Sequence, residues 1–305
     1  MNLYVLGESL MDCLVQPDGS MLPVKGGSPY NMARAASLQG THTTYLNPLS
    51  QDVFGQALRE QLAHDGVHVN PQASTKPTAL AVVHLQAGQP AYGFYREGIA
   101  DRDYTSADMV DALRAQTPGV LHTGSLLLIP PEHHNVLDIL RQAKSMGWVI
   151  SVDVNMRPSV APNLQAYNAA VEEVIDLADW LKASDEDLQT LGYTACTQAD
   201  AAQMADQLLQ RGVKRLALTY GAQGAYLRVG DQSLSAPVPS VDVIDTVGAG
   251  DTFWGNCVSL WSQMNEAQAQ AGLHDTLQHA LWAAALNCTR RGCQPPLRSE
   301  VAALL

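Results

Sequence analysis

Basic residues are few and unclustered: 18 Lys and Arg stand against 30 Asp and Glu, a formal charge of −12, with no run of positive charge. A nucleic-acid or anionic-membrane surface is therefore not expected, because gripping a phosphate backbone needs a positive footprint. A pocket for one anionic nucleotide remains compatible, since backbone amides and one or two cations suffice for it. Cysteine is equally sparse. The five (Cys13, Cys196, Cys257, Cys288 and Cys293) are odd in number, scattered and without a CxxC pair, which argues against a disulfide framework or a zinc site. No run approaches the roughly 18 apolar residues of a membrane-spanning helix. The start, Met1 to Leu6, reads as a strand cut short by Gly7-Glu8 and lacks the basic region of a signal peptide, so a reducing cytoplasm is the expected compartment. Also missing are the dinucleotide fingerprint G-x-G-x-x-G and the P-loop G-x-x-x-x-G-K-[ST]. A dinucleotide-dependent oxidoreductase and a P-loop phosphotransferase both lose ground.

What is present is an alternation of short apolar strands with amphipathic helices. Strands are predicted at Leu3–Leu6, Thr43–Leu46, Val120–His122, Val149–Val152, Trp180–Ala183 and Leu216–Thr219, the last opening a hairpin with Ala225–Val229. Helices are predicted at 28–39, 52–65, 131–146, 164–178, 198–211, 251–264 and 275–290. Strand then helix, repeated, argues a mainly parallel sheet with helices on both faces and ligands beyond the carboxyl ends of its strands. Two stretches break the pattern. Residues 11–25 and 78–103 read as β without helices, with a turn at Gln86-Ala87-Gly88-Gln89-Pro90, and are expected to form a lid or a side sheet. No linker divides the chain, so residues 1–305 are expected to form one α/β domain.

The most informative stretch is Asp245-Thr246-Val247-Gly248-Ala249-Gly250-Asp251, followed at helical spacing by Phe253, Cys257, Leu260, Trp261 and Met264. A small-residue turn opening a helix presents unhindered backbone N–H groups at the positive end of the helix dipole, an anion site in waiting. A carboxylate at its mouth, Asp251, would repel a resting phosphate but suits a base facing a hydroxyl that attacks one. Gly26-Gly27-Ser28-Pro29-Tyr30-Asn31 gives close backbone approach and an amide that both donates and accepts, as needed to read vicinal hydroxyls; Asp12, after the first strand, can accept from sugar hydroxyls. In Asp153-Val154-Asn155-Met156-Arg157, alternation puts an acceptor, a mixed group and a cation on one side of an extended segment. Each string also has a plain structural reading, as a turn, a cap or a glycine hairpin.

Two of these strings, D-T-x-G-A-G-D at Asp245–Asp251 and G-G-x-x-x-N-x-A at Gly26–Ala33, resemble the signatures of the ribokinase (PfkB-type) carbohydrate kinase family, and matches run in the family's order from Gly7 to Gly292. The resemblance implies a three-layer α/β/α sandwich with a mainly parallel central sheet and a small β lid, transferring the γ-phosphoryl of ATP to a sugar hydroxyl with Mg²⁺. It implies Asp251 as base, with the Gly248, Ala249 and Gly250 amides as anion hole. Asp12, Gly26, Gly27, Asn31, Arg96, Asp101 and Arg157 fall at the sugar, and Asn155, Lys182, Thr219, Gly221, Gly224 and Asn287 at the nucleotide. Asp153 and Asp187 would touch Mg²⁺ through water, and Asp245 and Val247 would hold a monovalent cation such as K⁺. At Ser184 to Asp187 the chain departs from the family's N-x-x-E. Asp12 with D-x-N-x-R looks most like the fructokinases; the alternatives are 2-keto-3-deoxygluconate kinase, whose acid substrate demands a cationic pocket, other sugar or nucleoside kinases of the fold, and an inactive sugar- or nucleotide-binding regulator. Relatives also dimerise through their lids.

Overall fold

The computed structural model describes residues 1–16, 18–86 and 89–305. The six apolar runs become the parallel strands Leu3–Val5, Thr43–Tyr45, Val120–Gly124, Val149–Asp153, Trp180–Ser184 and Arg215–Thr219. With His68–Val69 at one edge and the antiparallel pair Ala225–Val229 and Gln232–Ala236 at the other, they make a nine-stranded sheet. Period-two alternation sorts its side chains into two layers. Leu3, Val5, Trp180 and Ala217 face the helices Ser28–Leu38, Ala249–Ser262 and Leu273–Cys288; Tyr4, Leu121, Ile150 and Leu181 face His133–Ser145, Leu164–Ile175 and Ala201–Gln210. The first layer is anchored by Trp254 and Trp261, both 0% exposed, with ring centroids 5.7 Å apart. Truncating either to Ala would cost about 3–5 kcal/mol.

A second sheet of four strands, in the order Met21–Gly26, Leu10–Val15, Ala79–Gln86 and Gln89–Tyr95, forms the lid over the carboxyl ends of the main sheet. Its central pairing is parallel, Leu10–Leu14 against Ala79–Val83, which ties two segments distant in sequence into one flap. In the turn expected between its last two strands, Ala87 and Gly88 lie outside the described residues. All seven expected helices form, the 198–211 segment starting with a short 3₁₀ turn at Gln198–Asp200. Four further helices were not expected: Ser106–Arg114, Asp185–Leu191, Glu266–Ala271 and Arg298–Ala302. Three of them are seven residues or shorter, too brief to show a helical period. Ser106–Arg114 shows one in Met109, Val110 and Leu113 and carries a capping box from Thr105 and Asp108. Among the described residues no helix is long and apolar enough to cross a membrane.

Candidate active site

Asp251 sits in the first turn of the helix Ala249–Ser262 and is buried. The turn into that helix needs Gly248, whose φ of 74° is the left-handed conformation that L side chains resist. Two donors from another helix hold the carboxylate: the Ser28 hydroxyl gives a hydrogen bond to Oδ1 at 2.7 Å and Asn31 Nδ2 one to Oδ2 at 2.9 Å. The start of the helix Ser28–Leu38 is thus docked directly on the start of Ala249–Ser262. Burial pushes the Asp251 carboxyl up, opposed by Asn31, Ser28, Lys182 and Arg157. A carboxylate of raised pKa is a stronger base than an ordinary aspartate.

The phosphate side is built around Lys182, on the strand Trp180–Ser184. Its ammonium bonds both oxygens of buried Asp153, at 2.8 and 2.9 Å, and a Cβ placed on Gly250 would lie 3.4 Å from Nζ, so the charge sits against the glycine loop. Burial pulls the ammonium down, but Asp153, Asp187 and Asp251 together outweigh it and hold it above its ordinary value. Of the three loop amides expected to face phosphate, that of Ala249 already donates to the Thr246 carbonyl at 3.2 Å. Among the described residues the amides of Gly248 and Gly250 have no such partner, and neither has that of Asp251 in the same first turn. A cleft of 660 Å³ joins the two halves, running from Asp12 and Phe94 under the lid, past Asp251 and Gly250, to Lys182, Glu186 and Arg291. It holds a carboxylate base at the mouth of a cationic, amide-rich loop, with hydroxyl-reading groups on the other side.

Residues 3–300 match the family described as pfkB family carbohydrate kinase. The chain belongs to that family. It is 34% identical over 252 residues to the fructokinase of Rhizobium leguminosarum bv. trifolii, covering 81% of this chain and 76% of that protein. Fructokinase-2 of Oryza sativa subsp. japonica is 30% identical, covering 97% of this chain and 91% of that one. Among solved structures, the fructokinase with bound ATP from Xylella fastidiosa superposes with a TM-score of 0.82 at 29% identity, over 99% of this chain and 97% of that chain.

In this carbohydrate kinase the cleft brings together Asp12, Gly27, Asn31, Asn155, Arg157, Lys182, Asp245, Val247 and the loop from Gly248 to Asp251. Several expected residues stand elsewhere. Gly26 lies beside the cleft, where a Cβ would come within 2.3 Å of Asp12 Oδ2; its missing side chain makes room for that carboxylate. Asn155, expected near the nucleotide, bridges the site: Nδ2 donates to Ser28 Oγ at 2.7 Å while Oδ1 accepts from Arg157 at 2.6 Å. Asp153 is behind Lys182 rather than on the wall. Asp187 is spent as a helix cap, accepting from the Met156 and Ser184 amides and the Ser184 hydroxyl, and the exposed carboxylate on the cleft wall is Glu186. Thr219, Gly221 and Gly224 turn the hairpin one strand further along the sheet, outside the cleft. Asn287, expected at the nucleotide, is fully buried, giving Nδ2 to the Val247 carbonyl and accepting the Gln294 amide, so it braces the loop. Arg96 and Asp101, expected at the sugar, are buried and do not line the cleft.

Two site residues escaped the sequence reading. Ser28 looked like a helix start, and only the meeting of two helices turns its hydroxyl onto Asp251. Glu8 looked like the end of a strand, yet it is 1% exposed and lines the cleft. A buried acid directly after a strand in the Gly-Glu-Ser run was the available signal.

Proposed function

We propose that this chain is an ATP-dependent fructokinase, a single kinase domain over residues 1–305 that transfers the γ-phosphoryl of ATP to a hydroxyl of fructose. The observation that carries the reading is Asp251, held by Ser28 and Asn31 at the mouth of the Gly248–Gly250 turn. Asp251 orients the acceptor hydroxyl and takes its proton as the oxygen bonds to phosphorus and the bond from phosphorus to the ADP oxygen breaks. The Gly250 and Asp251 amides and the Lys182 ammonium receive the charge that develops on the phosphoryl oxygens. Arg157, folded onto Asn155, stands close enough to Asp12 and Asp251 to act electrostatically on both.

The sugar side favours a neutral acceptor. Asp12 and Glu8 line it, whereas Arg96, one of two cations that a sugar acid would call on, does not. Relatives named fructokinase support the choice of fructose over 2-keto-3-deoxygluconate, ribose or a nucleoside, and the intact base supports a catalyst over a silent regulator. Among the described residues no cluster of three His, Cys, Asp or Glu side chains could cage a metal, which fits Mg²⁺ arriving on the nucleotide and keeping mostly water ligands, with Glu186 a carboxylate on the cleft wall that could take those waters. When bound, Mg²⁺ neutralises the β- and γ-phosphates. For K⁺, Asp245 already accepts the Val247 and Gly292 amides and the Val247 carbonyl accepts Asn287, so each keeps only a spare lone pair. The site is compatible with a cation, and replacing KCl by a tetramethylammonium salt tests it. Exposed Met21, Leu22 and Tyr95 on lid strands support dimerisation there, to be read by light scattering, and a cytoplasmic setting belongs to the same proposal.

The test is coupled ADP release with Mg-ATP against fructose, 2-keto-3-deoxygluconate, ribose, glucose and adenosine, with Asp251→Asn in parallel. Turnover on fructose that falls by about 10² or more in the variant is expected. Turnover on another acceptor moves the substrate alone; ATP binding without ADP release from any acceptor would overturn the kinase reading.

A further inference from the structure

Glu8 follows the strand Leu3–Val5 at the base of the cleft, where Ser28 meets the diglycine turn. Its Oε1 accepts the Ser28 amide at 3.2 Å, and the Ser125 hydroxyl also interacts with the carboxyl. The turn is seated on it: a Cβ at Gly27 would fall 2.5 Å from the Glu8 carbonyl. Its other oxygen, Oε2, is buried and has no hydrogen-bond partner. Nearby lie Arg96 and Asp101, themselves buried. Arg96 acts electrostatically on Glu8 without closing the gap, for Arg96 Nε and both Asp101 oxygens are also unpartnered.

A buried carboxylate oxygen without a protein donor costs free energy until some other donor completes it. A cleft wall is where a ligand can. Resting on the fructokinase reading, we propose that Glu8 is a sugar-recognition residue: its Oε2 accepts a hydrogen bond from one acceptor hydroxyl, different from the hydroxyl that is phosphorylated and from the one read by Asp12. The backbone fixes that placement. Glu8 holds the Ser28 amide while the Ser28 hydroxyl holds Asp251, so one residue sets the spacing between the recognising carboxylate and the base. The same placement gives a reason for selecting neutral polyols. A substrate carboxylate in that position would face Glu8, while Arg96, the cation that acts on Glu8, does not line the cleft.

The experiment compares wild type with Glu8→Gln and Asp12→Asn across a panel of monodeoxy and monofluoro ketohexoses, reading kcat and KM for each sugar and KM for ATP. Glu8→Gln keeps an acceptor for Ser28 and removes the charge. The expected result is a KM for fructose raised about 10- to 100-fold with KM for ATP within about twofold, because hydrogen bonds to charged groups are among the stronger ones. The decisive sign is positional. One deoxy position is penalised in wild type and loses its penalty in Glu8→Gln, and a different position loses it in Asp12→Asn. A merely structural role would leave the pattern of penalties unchanged, and that result overturns the proposal. If Glu8→Gln does not fold, a crystal structure of wild type with fructose decides, since Oε2 beyond hydrogen-bond distance from every sugar oxygen also overturns it. If wild type ignores fructose but phosphorylates another neutral sugar, the substrate reading fails and the same panel, built on that sugar, tests Glu8.

Discussion

Replacing Gly248 by Ala attacks the phosphate loop at its tightest point. With φ at 74° the position lies in the left-handed region, where a Cβ costs about 1–2 kcal/mol. Space adds a second penalty, since that Cβ would stand 2.3 Å from Cys293 Sγ and 2.6 Å from Cys293 Cβ. Cys293 cannot easily retreat: its carbonyl accepts from Arg34, which is paired with Asp65 at 2.6 Å inside the protein. Overpacking of this kind costs about 1–3 kcal/mol, so Gly248→Ala should destabilise by about 2–5 kcal/mol and displace the loop that must face the phosphate. The geometry also dictates which second change relieves it. Cys293→Ala leaves the 2.6 Å clash with the Cys293 Cβ, whereas Cys293→Gly leaves only the Cα at 3.4 Å. In urea unfolding, the Gly248→Ala/Cys293→Gly pair should show a favourable coupling of about 1–3 kcal/mol, and the Gly248→Ala/Cys293→Ala pair much less, with ADP release following the same order. Equal rescue by both, or none by either, would refute the argument from space.

Three further outcomes follow from the charges in the cleft. Lys182→Met leaves Asp153 buried without its cation and should cost about 3–5 kcal/mol, much of it recovered in Lys182→Met/Asp153→Asn without recovery of turnover. Burial holds the Asp12 carboxyl at about 6 in the folded chain, against the effect of Arg157, and its ordinary value is 3.8. Between those values the native state binds more protons than the unfolded one, so this group lowers stability as pH rises from about 4 to about 6 and keeps it lowered above; Asp12→Asn should flatten that slope in thermal melts of the sugar-free protein and raise KM for fructose. Asp251 is shifted upward too, so kcat/KM should fall on the acid side at a pH above the ordinary aspartate range, and Asp251→Asn should lower turnover by about 10² or more while leaving the thermal midpoint equal or higher.

The main sheet was legible because its strands are buried on both faces and read as short apolar runs between helical periods; all six appear within a residue or two of the expected ends. The lid was legible as an interruption, though nothing local could say that Leu10–Val15 pairs in parallel with Ala79–Gln86, a contact set by the rest of the fold. At the site, legibility followed how much of a residue's role is written in its neighbours along the chain. Asp251 belongs to a seven-residue string whose turn, dipole and carboxylate are all local. Ser28 and Asn31 act across 223 and 220 residues, so the string at Gly26 to Asn31 announced a helix start and a polar amide but not their target. Asn287 carries a letter suited to binding, and only its three-dimensional partners show it spent on bracing a loop; the capping box of Ser184 and Asp187, three residues apart, is by contrast a local signal.

That division of labour bears on how an acidic cleft admits an anionic nucleotide. Six acids stand in or just behind one cavity, Glu8, Asp12, Glu186, Asp245 and Asp251 on its lining and Asp153 behind Lys182, and mutual repulsion would worsen with every phosphate that entered. The chain separates them by partner type. Asp251 is satisfied by neutral donors, Ser28 and Asn31, which hold it in place without consuming a cation. Asp153 takes the full ammonium of Lys182, yet because Asp187 and Asp251 add to the field there, that ammonium stays protonated against its own burial and still faces the Gly250 turn. Glu8 and Asp12 gather on the opposite side, which under the proposed function meets a neutral sugar that brings only hydroxyls. A fixed positive loop beside a carboxylate wall therefore presents two ligand classes to two ends of one cleft, and the base lies where those ends meet.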